Sequence, residues 1–255
     1  MTDHAELTNI FADLSRLARQ SVQAVSARVT FEDKGAGSFD PVTALDRDIE
    51  KLMRDYLLAK HPDHGVWGEE FGWSNEGSPI HWSIDPIDGT RAFICGLPSW
   101  CVLVGYLREG RHQAGMIDCP SLGELLVAVG GTTLRNGEPV VASNCMSLAT
   151  ARLATTDPCL FDKDEAASFS AVRQRTLVTR YGLDALAYAR VATGDLDLVI
   201  ENKLQRHDLD ALVPVVRGAG GHVGDWSGGE DWDVGRIVAA ASRALYDEAV
   251  AVLSR

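Results

Sequence analysis

Residues 80–90, IHWSIDPIDGT, constrain the fold more than any other stretch of the chain. Ile80, Trp82 and Ile84 alternate with polar residues, the period of a half-buried strand. Asp85 ends that run, and Pro86 both fixes φ and withholds an N–H from any ladder. Asp88 follows three residues after Asp85, and Gly89 and Thr90 come next. A strand must therefore deliver two carboxylates onto one tight turn, beside a glycine that lets backbone approach a ligand closely. Asp-Pro and Asp-Gly are also ordinary turn formers, which accounts for either aspartate alone. Two carboxylates this close repel unless a cation lies between them, and oxygen donors suit Mg²⁺, Mn²⁺ or Ca²⁺.

Charge points the same way. The chain has 255 residues and a net charge of −12, which argues against a nucleic-acid or anionic-membrane partner. It also opposes an anionic substrate unless bound cations reverse the sign locally. The five cysteines (Cys95, Cys101, Cys119, Cys145, Cys159) are odd in number and form no C-x-x-C pair. Neither a disulfide framework nor a zinc site is expected, and a reducing compartment is. The start, MTDHAELTNI, has no basic region followed by an apolar run, and no apolar stretch approaches the ~20 residues that span a bilayer. A cytoplasmic protein is expected.

The chain opens on a helical pattern, Leu7, Ile10, Phe11, Leu14, Leu17, Ala18, Val22 and Val25. Residues 31–43, FEDKGAGSFDPVT, read as a glycine-containing loop, in which Lys34 is either a surface lysine or a counter-charge near phosphate. Thr43 is placed to cap the next helix, with Asp46 in its first turn. Asp46 there either compensates the helix dipole or contributes to a site. Residues 66–67 read as a strand followed by Gly68-Glu69-Glu70, and residues 72–79 as an exposed loop. Residues 101–107, 112–117 and 124–129 form a meander of strands, and Asn136-Gly137 signals a hairpin. The second half alternates: strands at 151–155, 176–179, 196–200 and 236–240, helices at 162–174, 183–193, 208–219 and 245–253. Asp208 falls at the N-cap position of its helix, where aspartate is an ordinary cap. Pro214 should kink or loosen that helix. GAGGHVG misses the dinucleotide-binding spacing and follows a helix where a strand is required.

Asp46, Glu69, Asp85, Asp88 and Asp208 thus each lie at a strand end or a helix start. In order along the chain stand Asp40-Pro41-Val42-Thr43 with Asp46, Gly68-Glu69-Glu70, Asp85–Thr90, and Asp208 ahead of Gly218-Ala219-Gly220-Gly221. This series resembles the inositol-monophosphatase-like family of Mg²⁺-dependent phosphatases over most of the chain. The resemblance implies an α/β (α+β) fold, a layered αβαβα sandwich. Residues 1–134 would form an α+β half with the metal-binding motifs, and 135–255 an α/β half, with the site between them. It implies two to three Mg²⁺ per site, with Mn²⁺ a possible substitute. Glu69, Asp85 and the Ile87 carbonyl would bind the first ion, and Asp85, Asp88 and Asp208 the second. Asp46 would hold Thr90 and contribute to a third position. Metal-activated water, positioned by Glu69 and Thr90, would attack phosphorus, as two ions ~4 Å apart allow. The N–H groups of Gly89 and Thr90 would hold phosphate, with Arg91 beside them.

Within the family, Asp88–Phe93, Gly96-Leu97-Pro98, Arg180–Asp184 and Val223–Trp226 resemble the histidinol-phosphatase branch. Asp184 and Glu201 would face the leaving group, where an acidic pair suits the amine of histidinol, although Glu201 would equally accept inositol hydroxyls. Asp184 could also simply cap the 183–193 helix. The nearest alternative substrate is an inositol or sugar phosphate, and a regulatory member without turnover is the alternative of another class. The resemblance implies a small phosphorylated metabolite as partner and a homodimer. Two departures stand out. Leu45 occupies a position that is commonly Ala. His207 stands before Asp208 where the family usually carries Trp or Tyr, and a lone histidine there is either a ligand or structural.

Overall fold

The computed structural model describes residues 3–24, 30–33 and 41–254. Val25, Lys34 and Asp40, read from the sequence above, lie outside the described residues.

Helix α1 (His4–Ala24) is followed by a short hairpin, β1 (Phe31–Asp33) and β2 (Pro41–Thr43), and by helix α2 (Ala44–Lys60). Strands β3 (Gly65–Gly68), β4 (Gly72–Ser74), β5 (Ile80–Asp88), β6 (Cys101–Arg108), β7 (Arg111–Cys119), β8 (Glu124–Val129), β9 (Thr132–Arg135) and β10 (Glu138–Pro139) form one sheet of eight strands, with the short helix α3 (Thr90–Ile94) after β5. The sheet is antiparallel except where β3 runs parallel to β5. In the second half β11 (Arg152–Thr155), β12 (Val178–Tyr181), β13 (Leu198–Glu201), β14 (His222–Asp225) and β15 (Ile237–Ala240) form a five-stranded sheet. Its helices are α4 (Lys163–Arg173), α5 (Ala185–Ala192), α6 (Arg206–Gly218) and α7 (Arg243–Leu253).

Side-chain alternation builds the layers. On β6, Val102 and Val104 turn to α1 and α2, while Cys101 and Leu103 turn to α5 and α6. On β13, Val199 faces α5 and α6, and Leu198 and Ile200 pack against α4 and α7. Both sheets are thus covered on both faces, which is why β6 reads as an unbroken apolar run. Helices α5 and α6 form the middle of the expected αβαβα sandwich.

Several local expectations shift. Residues 72–74 and the ends of the 31–43 stretch pair as strands rather than loop. Strand β14 was not anticipated, because His222-Val223-Gly224-Asp225 alternates weakly. The Asn136-Gly137 turn has φ of 51° and 88°, the double left-handed conformation of a tight hairpin. Helix α6 runs through Pro214 as one helix. Its ring sits over Gly115, where an added Cβ would lie 2.6 Å from Pro214 Cγ and 2.5 Å from the Ala211 carbonyl oxygen. At Gly105 a Cβ would lie 2.6 Å from Asp210 Cβ. Two glycines on neighbouring strands therefore let the helix backbone rest on the sheet itself. At its C-terminal end the Thr133 hydroxyl donates to the Val215 carbonyl at 2.7 Å, satisfying an acceptor of the last turn.

Gly115→Ala should therefore lower stability by about 1–3 kcal/mol, the usual range for overpacking. Gly77→Ala, where an added Cβ meets nothing within 4 Å, should leave the melting temperature unchanged. Thermal melts of the two variants side by side check this, and equal melting temperatures would refute the close seat of α6.

Candidate active site

Strand β5 does not stop at Asp85. It continues to Asp88 with a register shift, Asp85 opposite Leu103 and Asp88 opposite Cys101. Three steps on one strand match two on the other, so the missing N–H of Pro86 is absorbed by a bulge. Asp85 Oδ1 accepts from the Ile87 N–H at 3.0 Å, and Thr90 Oγ1 donates to the Ile87 carbonyl at 3.0 Å. Gly89 then adopts φ 82°, a left-handed conformation, and an added Cβ there would lie 3.0 Å from Asp184 Oδ2. Both the turn and the neighbour demand glycine.

Glu69 is held from behind. The buried Glu50 carboxylate accepts from the N–H groups of Glu70 at 2.7 Å and Phe71 at 3.2 Å, and from Arg54 Nη2 at 2.7 Å. Arg54 in turn donates to the carbonyls of Val66 and Gly72 and to Ser74 Oγ. A Cβ on Gly68 would collide with Glu50. This brace between α2 and the β3–β4 turn escaped the sequence reading. Its one signal is Glu50 and Arg54 four residues apart in a helix, which is also the spacing of ordinary surface pairs.

Asp46 completes a capping box with Thr43. Its Oδ2 accepts from the Thr43 N–H at 2.9 Å and from the Thr43 hydroxyl. The expected Asp46–Thr90 hydrogen bond is not among the described ones; Thr90 turns its hydroxyl to Ile87 instead. Asp208 is also displaced from expectation. The N-cap of α6 is Gln205, and Asp208 is the third helical residue, its Oδ2 accepting from the Gln205 N–H at 2.8 Å. The other oxygen, Oδ1, lies 3.4 Å from His207 Nε2.

These elements converge on one cluster. Ligand atoms of Asp85, Asp88 and Asp208 lie within 4.8 Å of one another, and so do those of Glu69, Asp85 and His207. Asp85 belongs to both groups. Burial raises the proton affinity of Asp85 well above the carboxylate range, and the charges facing it, Glu69, Asp88, Asp208 and Asp46, raise it further. Asp88 is raised likewise by burial and then by Asp184 and Asp208. Burial also raises Asp208, and His207 opposes that rise. Such a group of oxygen donors, buried and facing charge of its own sign, fits a hard divalent cation.

Asp88 has a second partner. Its Oδ2 accepts from the Ala185 N–H at 2.6 Å, so it caps α5 from across the sandwich. Asp184 occupies the N-cap position of α5 with φ 48° but makes no capping hydrogen bond. Its carboxyl is pushed up to about 6 by burial, against the pull of Arg91. Arg91 itself is half exposed and lies 3.9 Å from Asp157. Glu201 ends β13, where its Oε1 accepts from the Thr156 N–H at 2.7 Å and the Thr156 hydroxyl at 2.9 Å. Burial still raises it to about 8. Asp88, Asp184, Glu201, Asn202 and Tyr188 line a cavity of about 140 Å³ beside the carboxylate cluster. Tyr188, on α5, carries no signal in the sequence because its neighbours on that helix are apolar apart from Arg190. Its hydroxyl is buried and meets no hydrogen-bond partner among the described residues.

The profile described as "Inositol monophosphatase family" matches residues 3–255. The bifunctional phosphatase IMPL2, chloroplastic, of Arabidopsis thaliana is 40% identical over 204 residues, which are 79% of this chain and 59% of that protein. The chain thus spans less than two thirds of that relative's length. A histidinol-phosphatase of Chlorobaculum parvum is 33% identical over 94% of this chain and 90% of its own. A Nus factor SuhB of Pasteurella multocida is 33% identical over 82% and 80%. Among solved structures, an inositol monophosphatase from Zymomonas mobilis superposes with a TM-score of 0.86 at 34% identity, covering 97% of each chain. No helix among the described residues is long and apolar enough to cross a membrane. With the layered fold, the carboxylate cluster and a family match along nearly its whole length, the chain belongs to the inositol monophosphatase family.

Proposed function

We propose that this chain is a Mg²⁺-dependent phosphomonoesterase whose substrate is histidinol phosphate. The observation that carries the reading is the sharing of Asp85 between two donor groups, next to a cavity walled by Asp184 and Glu201. Glu69, Asp85 and the Ile87 carbonyl would hold one cation, and Asp85, Asp88 and Asp208 a second. Bound there, Mg²⁺ supplies charge neutralisation for phosphate and lowers the pKa of water.

The chain's own groups do the rest. The Glu69 carboxylate accepts a hydrogen bond from the attacking water, and the Thr90 hydroxyl orients it. Asp46, braced by Thr43, fixes the start of α2 against that site. The N–H groups of Gly89 and Thr90 donate to phosphate oxygens. The leaving alcohol occupies the Asp184–Glu201 cavity. The Asp184 charge favours a cationic amine there, and such an amine would draw the proton from Glu201; the Tyr188 hydroxyl, without a partner among the described residues, suits a polar group. The Asp184 charge on this wall would discriminate against a second phosphate by repulsion. A homodimer in the cytoplasm is part of the same proposal.

Phosphate release from L-histidinol phosphate and from myo-inositol 1-phosphate, measured side by side with Mg²⁺, tests the substrate. A kcat/KM preference for histidinol phosphate that shrinks in Glu201→Gln is expected. Equal rates would make the chain a broad phosphatase. A folded, Mg²⁺-loaded protein that releases phosphate from neither would turn the reading toward a regulatory member of the fold.

Asp88→Asn retains an oxygen for the Ala185 N–H but loses the charge, so turnover should fall about 10²-fold or more with the fold intact. Asp88→Ala loses the cap as well and should be less stable than Asp88→Asn by about 1 kcal/mol, read as a lower melting temperature. Equal melting temperatures would show that the cap contributes nothing.

Carboxyls whose folded proton affinity is raised bind more protons folded than unfolded, so their stabilisation is lost as pH rises through the folded value. With Glu201 raised from 4.5 to about 8, metal-free protein should lose stability as pH rises from about 5 to about 8, and the raised Asp85 and Asp88 act in the same direction. Saturating Mg²⁺ should reduce that slope. Melts in chelator that are flat or rising over this window would contradict it.

A further inference from the structure

We propose that His207 is a nitrogen donor to the cation that Glu69 and Asp85 hold, and that it biases this site toward Mn²⁺ and Co²⁺ relative to Mg²⁺. The inference rests on the reading above that these acids bind a cation, and goes beyond it in ligand set and metal preference.

The observations are geometric. One ring nitrogen of His207 and one oxygen each from Glu69 and Asp85 lie within 4.8 Å of one another. Donors around one Mg²⁺-sized ion stand about 3 Å apart when adjacent and about 4.2 Å when opposite, so side-chain movement of about an ångström lets the three share it. The ring is fixed by packing. His207 sets its edge against Trp67, with centroids 5.6 Å apart at 68°. Trp67 stacks on Trp73 at 5.6 Å and 8°, and Trp73 meets His81 in turn. With one flank held by the indole, the ring keeps Nε2 3.4 Å from Asp208 Oδ1. His207 also sits in the first turn of α6, one residue before Asp208, so the helix that delivers the oxygen of one donor group delivers the nitrogen of the other.

Chemistry gives this placement a direction. A site of carboxylate, carbonyl and water oxygens suits Mg²⁺, whereas imidazole favours first-row transition ions, Co²⁺ above Mn²⁺. A Trp or Tyr at the same position, as the resemblance described above would have it, offers no imidazole nitrogen. The opposing possibility is that His207 is only a counter-charge to Asp208, outside the coordination sphere.

Pulsed electron paramagnetic resonance of the Mn²⁺-loaded full chain separates the two. Coupling of the bound Mn²⁺ to ¹⁴N is expected in the wild type and its loss in His207→Phe. In parallel, calorimetric titration with Mn²⁺ and with Mg²⁺ should show the Mn²⁺ over Mg²⁺ preference dropping about tenfold or more in His207→Phe, the scale at which even outer partners of a ligand matter. Bound Mn²⁺ without ¹⁴N coupling, or coupling that persists in His207→Phe, overturns the inference and leaves the phosphatase reading intact. Failure of the wild type to bind Mn²⁺ or Mg²⁺ overturns both. Absence of coupling in the wild type overturns the inference even if His207→Phe does not fold, and His207→Tyr is the second variant that assigns the coupling where it is seen.

Discussion

The contact on which most else depends is the seat of α6 against β6 and β7. Helix and sheet ordinarily stand apart by two layers of side chains, but at Gly105 and Gly115 one layer is missing. Dispersion attraction falls steeply with separation, so this approach fixes the helix axis more tightly than interdigitated leucines would. The consequence is at the other end of the helix. Asp208 and His207 lie in the first turn of α6, and their positions relative to Asp85 and Asp88 on β5 follow from where those glycines let the helix rest. Pro214, which from sequence threatens the helix, instead places a compact ring over the bare backbone of Gly115.

The second constraint is electrostatic. Asp85, Asp88 and Asp208 are brought together against their mutual repulsion and against burial. That arrangement persists because each acid is fixed by backbone it also serves: Asp85 by the Ile87 N–H, Asp88 by the Ala185 N–H, Asp208 by the Gln205 N–H. Each thereby satisfies, with one oxygen, a backbone donor of a bulge or helix start. Strain concentrated at a site and held by the surrounding scaffold is what functional centres show.

Much of this was legible in the sequence because local chemistry and global fold agree. Asp-Pro-x-Asp-Gly-Thr after an alternating strand, the Thr43 cap and the Asn136-Gly137 turn each specify their conformation within a few residues. What was not legible is non-local. The Glu50–Arg54 brace behind Glu69 looks like a surface pair until β3 and β4 close over it. Tyr188 looks like any apolar helix residue until Glu201 and Asp184 are placed around it. The cap of α6 is hidden in the sequence because Gln205 is an uncommon cap and Asp208 a common one, whereas in the fold Asp208 plays the reciprocal part of the box.

Asp88 is at once a strand residue of the first half, a donor toward the cluster and the cap of α5 in the second half. Whatever binds its charge therefore pulls on the first turn of a helix that packs in the centre of the sandwich. The amide proton of Ala185 is the point where that pull can be read. Its exchange with solvent deuterium reports the state of a carboxylate 97 residues away in the chain. The fold thus carries a built-in gauge of its own active centre, at an atom that takes no part in the chemistry.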